Sequence, residues 1–445
     1  MSQNATASNP PSLSQRPTRV RWQMMAMLTV ITALTYVDRL NLGIAGNYIQ
    51  SEFNLSTQTM GYVLSAFVLG YALFQVPGGW AGDRFGPRSI LTFAIVWWSV
   101  FTALTALAPS LPLRAFLGVA GSFIVIRFLV GIGEAAAFPN ENKIIAYWMG
   151  SSARGVGNSL FLVGIGVGGT ATPIAIAWIM QHWGWRSSFY VCAVLGIVVG
   201  VAWHTFATSR PEEHPRVNQA EIALIRAHSV DAKDDSAAHG KASVPWKRLL
   251  SKSSTWFLLL SYFCNAYPAY IFYTWFFIYL VRVRGLTIKQ GGFWGSTPFI
   301  AILILAPLGG WLSDRASRKF GLRRGRQTAV WVGMTMSALL LTLGAHTANN
   351  SVAILLMATA MGFNMFSTSS WWAACIDLSP NFSGSLSAMM NTCGNLGGFL
   401  APILTAYIAA HFNWNRALDF AAIVSFTAAL LWFGVNAGHS IEEAS

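Results

Sequence analysis

Apolar runs of about twenty residues or more follow one another along nearly the whole chain, separated by short polar punctuations. An α-helix rises 1.5 Å per residue, so about 20 apolar residues cross the hydrocarbon core of a bilayer. The runs at 22–46, 58–80, 89–108, 115–139, 153–181, 187–208, 254–281, 291–313, 327–346, 351–377, 384–411 and 415–437 predict twelve membrane-spanning helices, which we number spans one to twelve. The longest polar insert, 209–253, divides the series six and six. Its first part predicts a short surface helix and its second a linker. Residues 1–21 are polar and rich in Pro and Ser, the composition of a disordered leader. The expected organisation is a leader at 1–21, a half at 22–208, a linker at 209–253, a second half at 254–437 and a tail at 438–445.

Composition agrees with the pattern. Hydrophobic residues make up 54% of the 445 and charged residues only 10%, against about 25% charged in soluble domains. The net charge of +13 would suit nucleic acid, but the placement of the cations excludes it. Of the 29 Lys and Arg, 21 fall on one side of the predicted spans and six on the other, while Arg39 and Arg127 lie inside spans. The positive-inside rule then puts both termini and the central loop in the cytoplasm. The loop with Arg282, Arg284 and Lys289 departs from the bias. Cys192, Cys264, Cys375 and Cys393 all fall in apolar segments without a CxxC or a His cluster, so neither a metal site nor a disulfide framework is expected. The first apolar run is too long and too charged for a cleavable signal peptide.

The halves repeat each other. Gly79-Trp80-Ala81-Gly82-Asp83-Arg84 returns 231 residues later as Gly310-Trp311-Leu312-Ser313-Asp314-Arg315. Gly168-Gly169, Pro173, His182 and Trp185 return 229 residues later as Gly397-Gly398, Pro402, His411 and Trp414. The fold class expected is an all-α membrane protein, with twelve transmembrane helices in two six-helix halves related by a pseudo-two-fold repeat. Such parallel repeats are a transporter architecture, with the substrate site at their interface near mid-membrane.

Four charges stand where hydrocarbon disfavours them. Asp38 and Arg39 lie in span one, Arg127 and Glu134 in span four. A charge at the bilayer centre costs about 2.5–3.5 kcal/mol on insertion scales, and such residues face the protein interior, pair, and mark ion or substrate paths. Asp38–Arg39 alone reads equally as a helix-end anchor. Arg127 and Glu134 are seven residues apart, two turns or about 10.5 Å, too far to pair with each other. Asp38 and Arg39 point about 100° apart, so one can face the bundle and the other a cavity. Two acids and two bases crossing between spans one and four leave no net intramembrane charge. A substrate carboxylate can compete for an Arg, and an acid that loses its positive neighbour is protonated more easily. A purely structural charge network is the alternative. Glu141 and Lys143 are expected to be interfacial anchors, as are Asp377 and Asp419.

At this point the residues carry a resemblance. Gly79-x-x-x-Asp83-Arg84-x-Gly86-x-Arg88 resembles the loop signature of the major facilitator superfamily, with Asp314 and Arg315 in a looser second copy. Asp and Arg in such loops can lock one conformation by pairing with neighbouring helix ends. Tyr36-Val-Asp38-Arg39 together with Arg127-Phe-Leu-Val-Gly-Ile-Gly-Glu134-Ala-Ala-Ala-Phe-Pro139 resembles the anion:cation symporter family, over roughly 22–437. That resemblance implies Asp38 and Glu134 as proton-coupling acids and Arg39 and Arg127 as bases for the substrate carboxylate. It adds Tyr36, Tyr71, Ser370, Trp372 and Asn391 as substrate-site candidates, with Asn265, Tyr267, Tyr270, Tyr273 and Ser369 weaker ones. Two departures bear on the substrate. Span seven has no Arg, which disfavours a dicarboxylate, and span five is apolar from Leu162 to Gly169, which keeps an aromatic carboxylate open beside a sugar acid.

The expected activity is proton-coupled symport of an organic carboxylate, a sugar acid such as a hexuronate, aldonate or aldarate, or else an aromatic or other small monocarboxylate. Exchange or uniport on the same fold remains open. The expected partners are the anion, protons and membrane lipid, with no nucleic acid, no cofactor and no metal, in a monomer of the bacterial inner membrane. A sensor would need a sizeable partner domain, and the central loop is short. An enzyme would need a nucleophile–base pair or a metal cluster within the spans, and an ATP-driven pump a Walker loop; the sequence offers none.

Overall fold

The computed structural model describes residues 16–149, 154–227, 246–379 and 382–438, and these are helical with no strand among them. The first half contains α1 (Val20–Phe53), α2 (Thr57–Phe85), α3 (Pro87–Leu107), α4 (Leu113–Ala135), α5 (Ala137–Trp148), α6 (Arg154–Trp183) and α7 (Trp185–Phe206). The short helices α8 (Gln219–Ala227) and α9 (Trp246–Ser251) follow. The second half contains α10 (Ser253–Thr274), α11 (Phe276–Arg282), α12 (Ile288–Gly295), α13 (Thr297–Phe320), α14 (Leu322–His346), α15 (Asn350–Leu378), α16 (Ser383–His411) and α17 (Trp414–Leu431). Eleven helical stretches among the described residues are long and apolar enough to cross a membrane, and α10–α11, broken at Trp275, supplies the remaining expected span.

Two boundaries differ from expectation. Span four does not stop at 139: α4 and α5 meet at Ala136 and carry it to Trp148, so Glu141 and Lys143 lie within it. The leader is ordered from residue 16. Glu221 of α8 is fully buried and accepts the Val20 and Arg21 backbone N–H groups, at 3.2 and 3.1 Å, and the Thr18 hydroxyl. A carboxylate there satisfies the orphan donors and the positive end of the α1 dipole. The surface helix is present as α8, and the expected linker lies mostly outside the described residues.

Small residues let the helices approach. A Cβ built on Gly70 of α2 would stand 2.3 Å from Phe128 O, and one on Gly131 of α4 would stand 2.2 Å from Phe67 O. The repeat reappears where the halves touch. A Cβ on Gly61 of α2 would meet Pro402 O of α16 at 2.8 Å, and one on Gly292 of α12 would meet Pro173 O of α6 at the same distance. Gly292 follows Gly61 by 231 residues and Pro402 follows Pro173 by 229, so the two contacts are copies of each other.

The halves are tied together at the end away from the termini. Arg282 donates to Asn47 O at 2.8 Å and Ser51 Oγ at 3.0 Å, and Ser296 Oγ donates to Thr170 O at 2.6 Å. Toward the middle, Ser65 Oγ donates to Phe399 O at 2.8 Å. At the end bearing the termini, the charges of the two related loops engage groups of their own half. Asp83 pairs with Lys143 at 2.7 Å, Arg88 donates to His204 O, and Asp314 pairs with Arg326 at 2.8 Å. Arg84 stacks over Trp80 and Phe85, and Arg315 over Trp311.

Candidate functional site: an arginine cage between the halves

Span one presents Arg39 to the cleft and Asp38 to the bundle behind it. Arg39 Nε donates to Glu134 Oε1 of α4 in an ion pair whose carboxylate is fully buried and whose guanidinium is 12% exposed. Four rings enclose that guanidinium: Tyr71 at 4.6 Å, Phe138 at 4.9 Å, Tyr36 at 5.4 Å and Phe67 at 5.6 Å from Cζ. Cation–π attraction of this kind strengthens when the cation is desolvated. The rings thus replace part of the water that an Arg loses inside a membrane.

The second base and second acid lie deeper. Arg127 is 2% exposed, rests over the Phe67 ring at 5.1 Å, and has buried Nε and Nη1 atoms without a hydrogen-bond partner among the described residues. Asp38 is 1% exposed and neither of its oxygens has a geometric hydrogen bond; Thr102 of α3 and Arg127 are its polar neighbours. Of the two crossings between spans one and four, Arg39–Glu134 is thus closed and Asp38–Arg127 is proximity without contact. Arg39 Nη2 and Glu134 Oε2 are also without partners among the described residues.

A cleft of about 370 Å³ opens beside these groups. Arg39, Arg127, Phe67 and Leu64 line it from the first half, and Tyr270, Tyr273 and Thr274 of α10 from the second. Tyr273 packs edge-on against Tyr36, with ring centroids 6.0 Å apart, so the aromatic cage continues across the interface.

The remaining candidates separate. Asn391 Nδ2 donates to Gln75 Oε1 at 2.8 Å, joining α16 to α2 across the cleft. Asn395 Nδ2 donates to the same oxygen at 3.2 Å, its Oδ1 accepts from Tyr270 OH, and Gln75 Nε2 donates to Tyr71 OH at 3.3 Å. Trp372 is 41% exposed and stands edge-on to Tyr262. Ser370 is fully buried away from the cleft, donating to Ser313 Oγ at 3.1 Å, and serves α13–α15 packing. Glu141 is no interfacial anchor: it is fully buried and accepts from Thr32 Oγ1 at 2.9 Å. Asp377 is half withdrawn as well, held by Arg326 at 3.1 Å.

Sequence reasoning missed Gln75, Phe67 and Phe138. Gln75 was findable: it is a polar residue four positions after Tyr71, hence on the same face of span two. The two phenylalanines carried no signal, being apolar residues in apolar spans.

Two six-helix halves that share a charged cleft at their interface define a membrane carrier. A model of the Major Facilitator Superfamily matches residues 28–402. A Bacillus subtilis protein named a probable galactarate/D-glucarate transporter is 32% identical over 434 residues, covering 95% of this chain and 90% of its own. A probable sulfoacetate transporter of Cupriavidus necator is 29% identical, covering 88% of this chain and 87% of its own. Among solved structures, a bacterial homolog of the lysosomal transporter Spinster, inward-facing and unoccupied, superposes with a TM-score of 0.76 at 18% identity, covering 95% of this chain and 98% of its own. A D-xylose–proton symporter superposes with a TM-score of 0.72, also at 18% identity, covering 94% and 99%. The chain belongs to the major facilitator superfamily and, within it, to the anion:cation symporter family; it is a transporter and not an enzyme.

Proposed function

We propose that this protein is a proton-coupled symporter that imports an organic carboxylate by alternating access. The observation that carries the reading is the Arg39–Glu134 pair, buried at the interface of the halves with an unengaged nitrogen on one partner and an unengaged oxygen on the other. A substrate carboxylate entering the cleft competes with Glu134 for Arg39, and Arg127 offers two further N–H donors. Glu134, once displaced, is a buried carboxylate without a cation, and protonation relieves that cost. Anion binding and proton binding then favour each other, and the coupling is reciprocal. Asp38, beside Arg127, is the second proton acceptor.

The substrate is an organic acid, and the relatives named for galactarate and glucarate support a sugar acid. Tyr36, Tyr71, Tyr270 and Tyr273 around the cleft support a second reading, an aromatic monocarboxylate whose ring stacks where a sugar would be hydrogen-bonded. The distribution of Lys and Arg supports a monomer in a bacterial cytoplasmic membrane with both termini inside, which makes this structure the inward-facing state.

The test is uptake into proteoliposomes under an imposed pH gradient, with D-glucarate, D-galacturonate and benzoate as candidate acids. Accumulation that follows the gradient is expected for at least one of them; accumulation indifferent to the gradient overturns proton coupling.

A further inference from the structure

Spans one and four are joined by two rungs. Arg39–Glu134 is one and Thr32–Glu141 is the other. Thr32 precedes Arg39 by seven residues, and Glu141 follows Glu134 by seven. Because the two spans run in opposite directions, the rungs lie about 10.5 Å apart along the axis, two helical turns. The Thr32–Glu141 rung is the one nearer the end that carries the termini.

The lower rung is not a salt bridge. Glu141 has no cation on it, its Oε2 accepts from Thr32 Oγ1, and its Oε1 is buried without a hydrogen-bond partner among the described residues. Thr32 is itself fully buried. A fixed negative charge held this way, away from water, is costly unless it is neutralised. A tie between α1 and α5 would need only a neutral acceptor. The geometry points to Glu141 as a third proton-carrying acid, which takes the proton leaving Glu134 and delivers it to the solution at the end bearing the termini. This rests on the proton-symport reading above.

The surroundings isolate it for that role. The charged groups whose fields reach it are Arg39 from α1 and Glu134 from α4. On its own helix, Lys143 is committed to Asp83 of α2. Tyr71 of α2 faces Arg39, Arg88 of α3 donates to His204 O, and the one titratable group among the described side chains of α6, His182, stands at the far end of that helix. The step balances as follows. The Glu134 carboxylic acid gives its proton, through water, to the Glu141 carboxylate; Glu134, now anionic, closes on Arg39; Glu141 then releases the proton to water and is ready for the next cycle.

Glu141→Gln separates this role from a structural one, because the amide oxygen still accepts from Thr32. In proteoliposomes of the full chain, with D-glucarate and benzoate as probes, the expected result is a loss of about tenfold or more in gradient-driven accumulation while counterflow exchange persists. Glu141→Asp should restore part of the accumulation. Wild-type accumulation by Glu141→Gln overturns the proposal. If the wild type itself ignores the gradient, the symport reading fails, and infrared pH titration of the purified protein decides Glu141 alone. A protonated-carboxyl band lost in Glu141→Gln and shifted in Glu134→Gln supports it; no such band overturns it.

Discussion

Arg39 and Glu134 sit on different spans, 95 residues apart, and form one ion pair inside a cage of four aromatic rings. A buried pair of this kind contributes little net stability, but breaking it from one side costs about 3–5 kcal/mol by stranding the other charge. Glu134→Gln leaves an amide oxygen for Arg39 and removes the titrating group. It should exchange substrate yet fail to concentrate it, as read by counterflow and gradient-driven uptake in parallel. Concentrative uptake at the wild-type level would remove Glu134 from the coupling mechanism.

Arg127 should be the more severe site. Its Nε and Nη1 have no partner among the described residues, so they are available to an incoming anion. Removing one partner of a buried charge pair costs about 2–5 kcal/mol, and each 1.4 kcal/mol is tenfold. Arg127→Ala should therefore weaken binding by about 30-fold or more, measured by substrate-dependent thermal shift. Arg127→Lys should recover little, since an ammonium lacks the planar fork.

The twelve spans, the repeat and the family were legible because a bilayer forces long apolar runs and because the two halves share positions at a nearly fixed spacing. The four intramembrane charges were legible for the same reason: hydrocarbon makes them conspicuous. Their pairing was legible in part. Two acids and two bases on spans one and four suggested two crossings, and only the full packing shows Arg39 engaged and Asp38 turned to the bundle. Glu141 was misjudged because a polar residue near the predicted end of an apolar run reads as interface, whereas α5 continues the span past it to Trp148. The cations Arg282 and Arg284, unexpected on their side, are bound to backbone. Arg284 donates to the Gly344 and Thr347 carbonyls at the end of α14, and Arg282 bridges to Asn47. Carbonyls left over at a helix terminus attract such donors, and no local pattern announces them.

Gln75 should govern the balance between conformations. Its carboxamide links Tyr71 of the arginine cage to Asn391 and Asn395 of the other half. A hydrogen bond of this type contributes about 0.5–1.5 kcal/mol net. Gln75→Leu removes three, so exchange between the two facing states should shift by about tenfold or more on the same scale. Distance changes between spin labels on the α2–α3 and α13–α14 loops would report it. A wild-type distance distribution would show that the bridge does not hold the halves.

Gly70 and Gly131 allow the α2–α4 crossing that sets the Phe67 ring beneath both arginines. A methyl at Gly131 would lie 2.2 Å from Phe67 O and 2.9 Å from Tyr71 N, and both are backbone atoms that cannot swing aside. The helices must separate, and overpacking of this sort costs about 1–3 kcal/mol. Gly131→Ala should therefore act twice. It should lower the thermal unfolding midpoint in detergent, and it should loosen the cage by moving Phe67 and Tyr71 off Arg39, weakening substrate affinity. Gly310 of the second half provides the contrast: a Cβ there would meet Ser369 at no less than 3.7 Å, an ordinary contact. Gly310→Ala should leave the midpoint within about a degree of wild type, in line with the small effects of substitutions that create no clash. If Gly131→Ala is as stable and as tight-binding as Gly310→Ala, the close approach of α2 and α4 is not what positions the arginine cage.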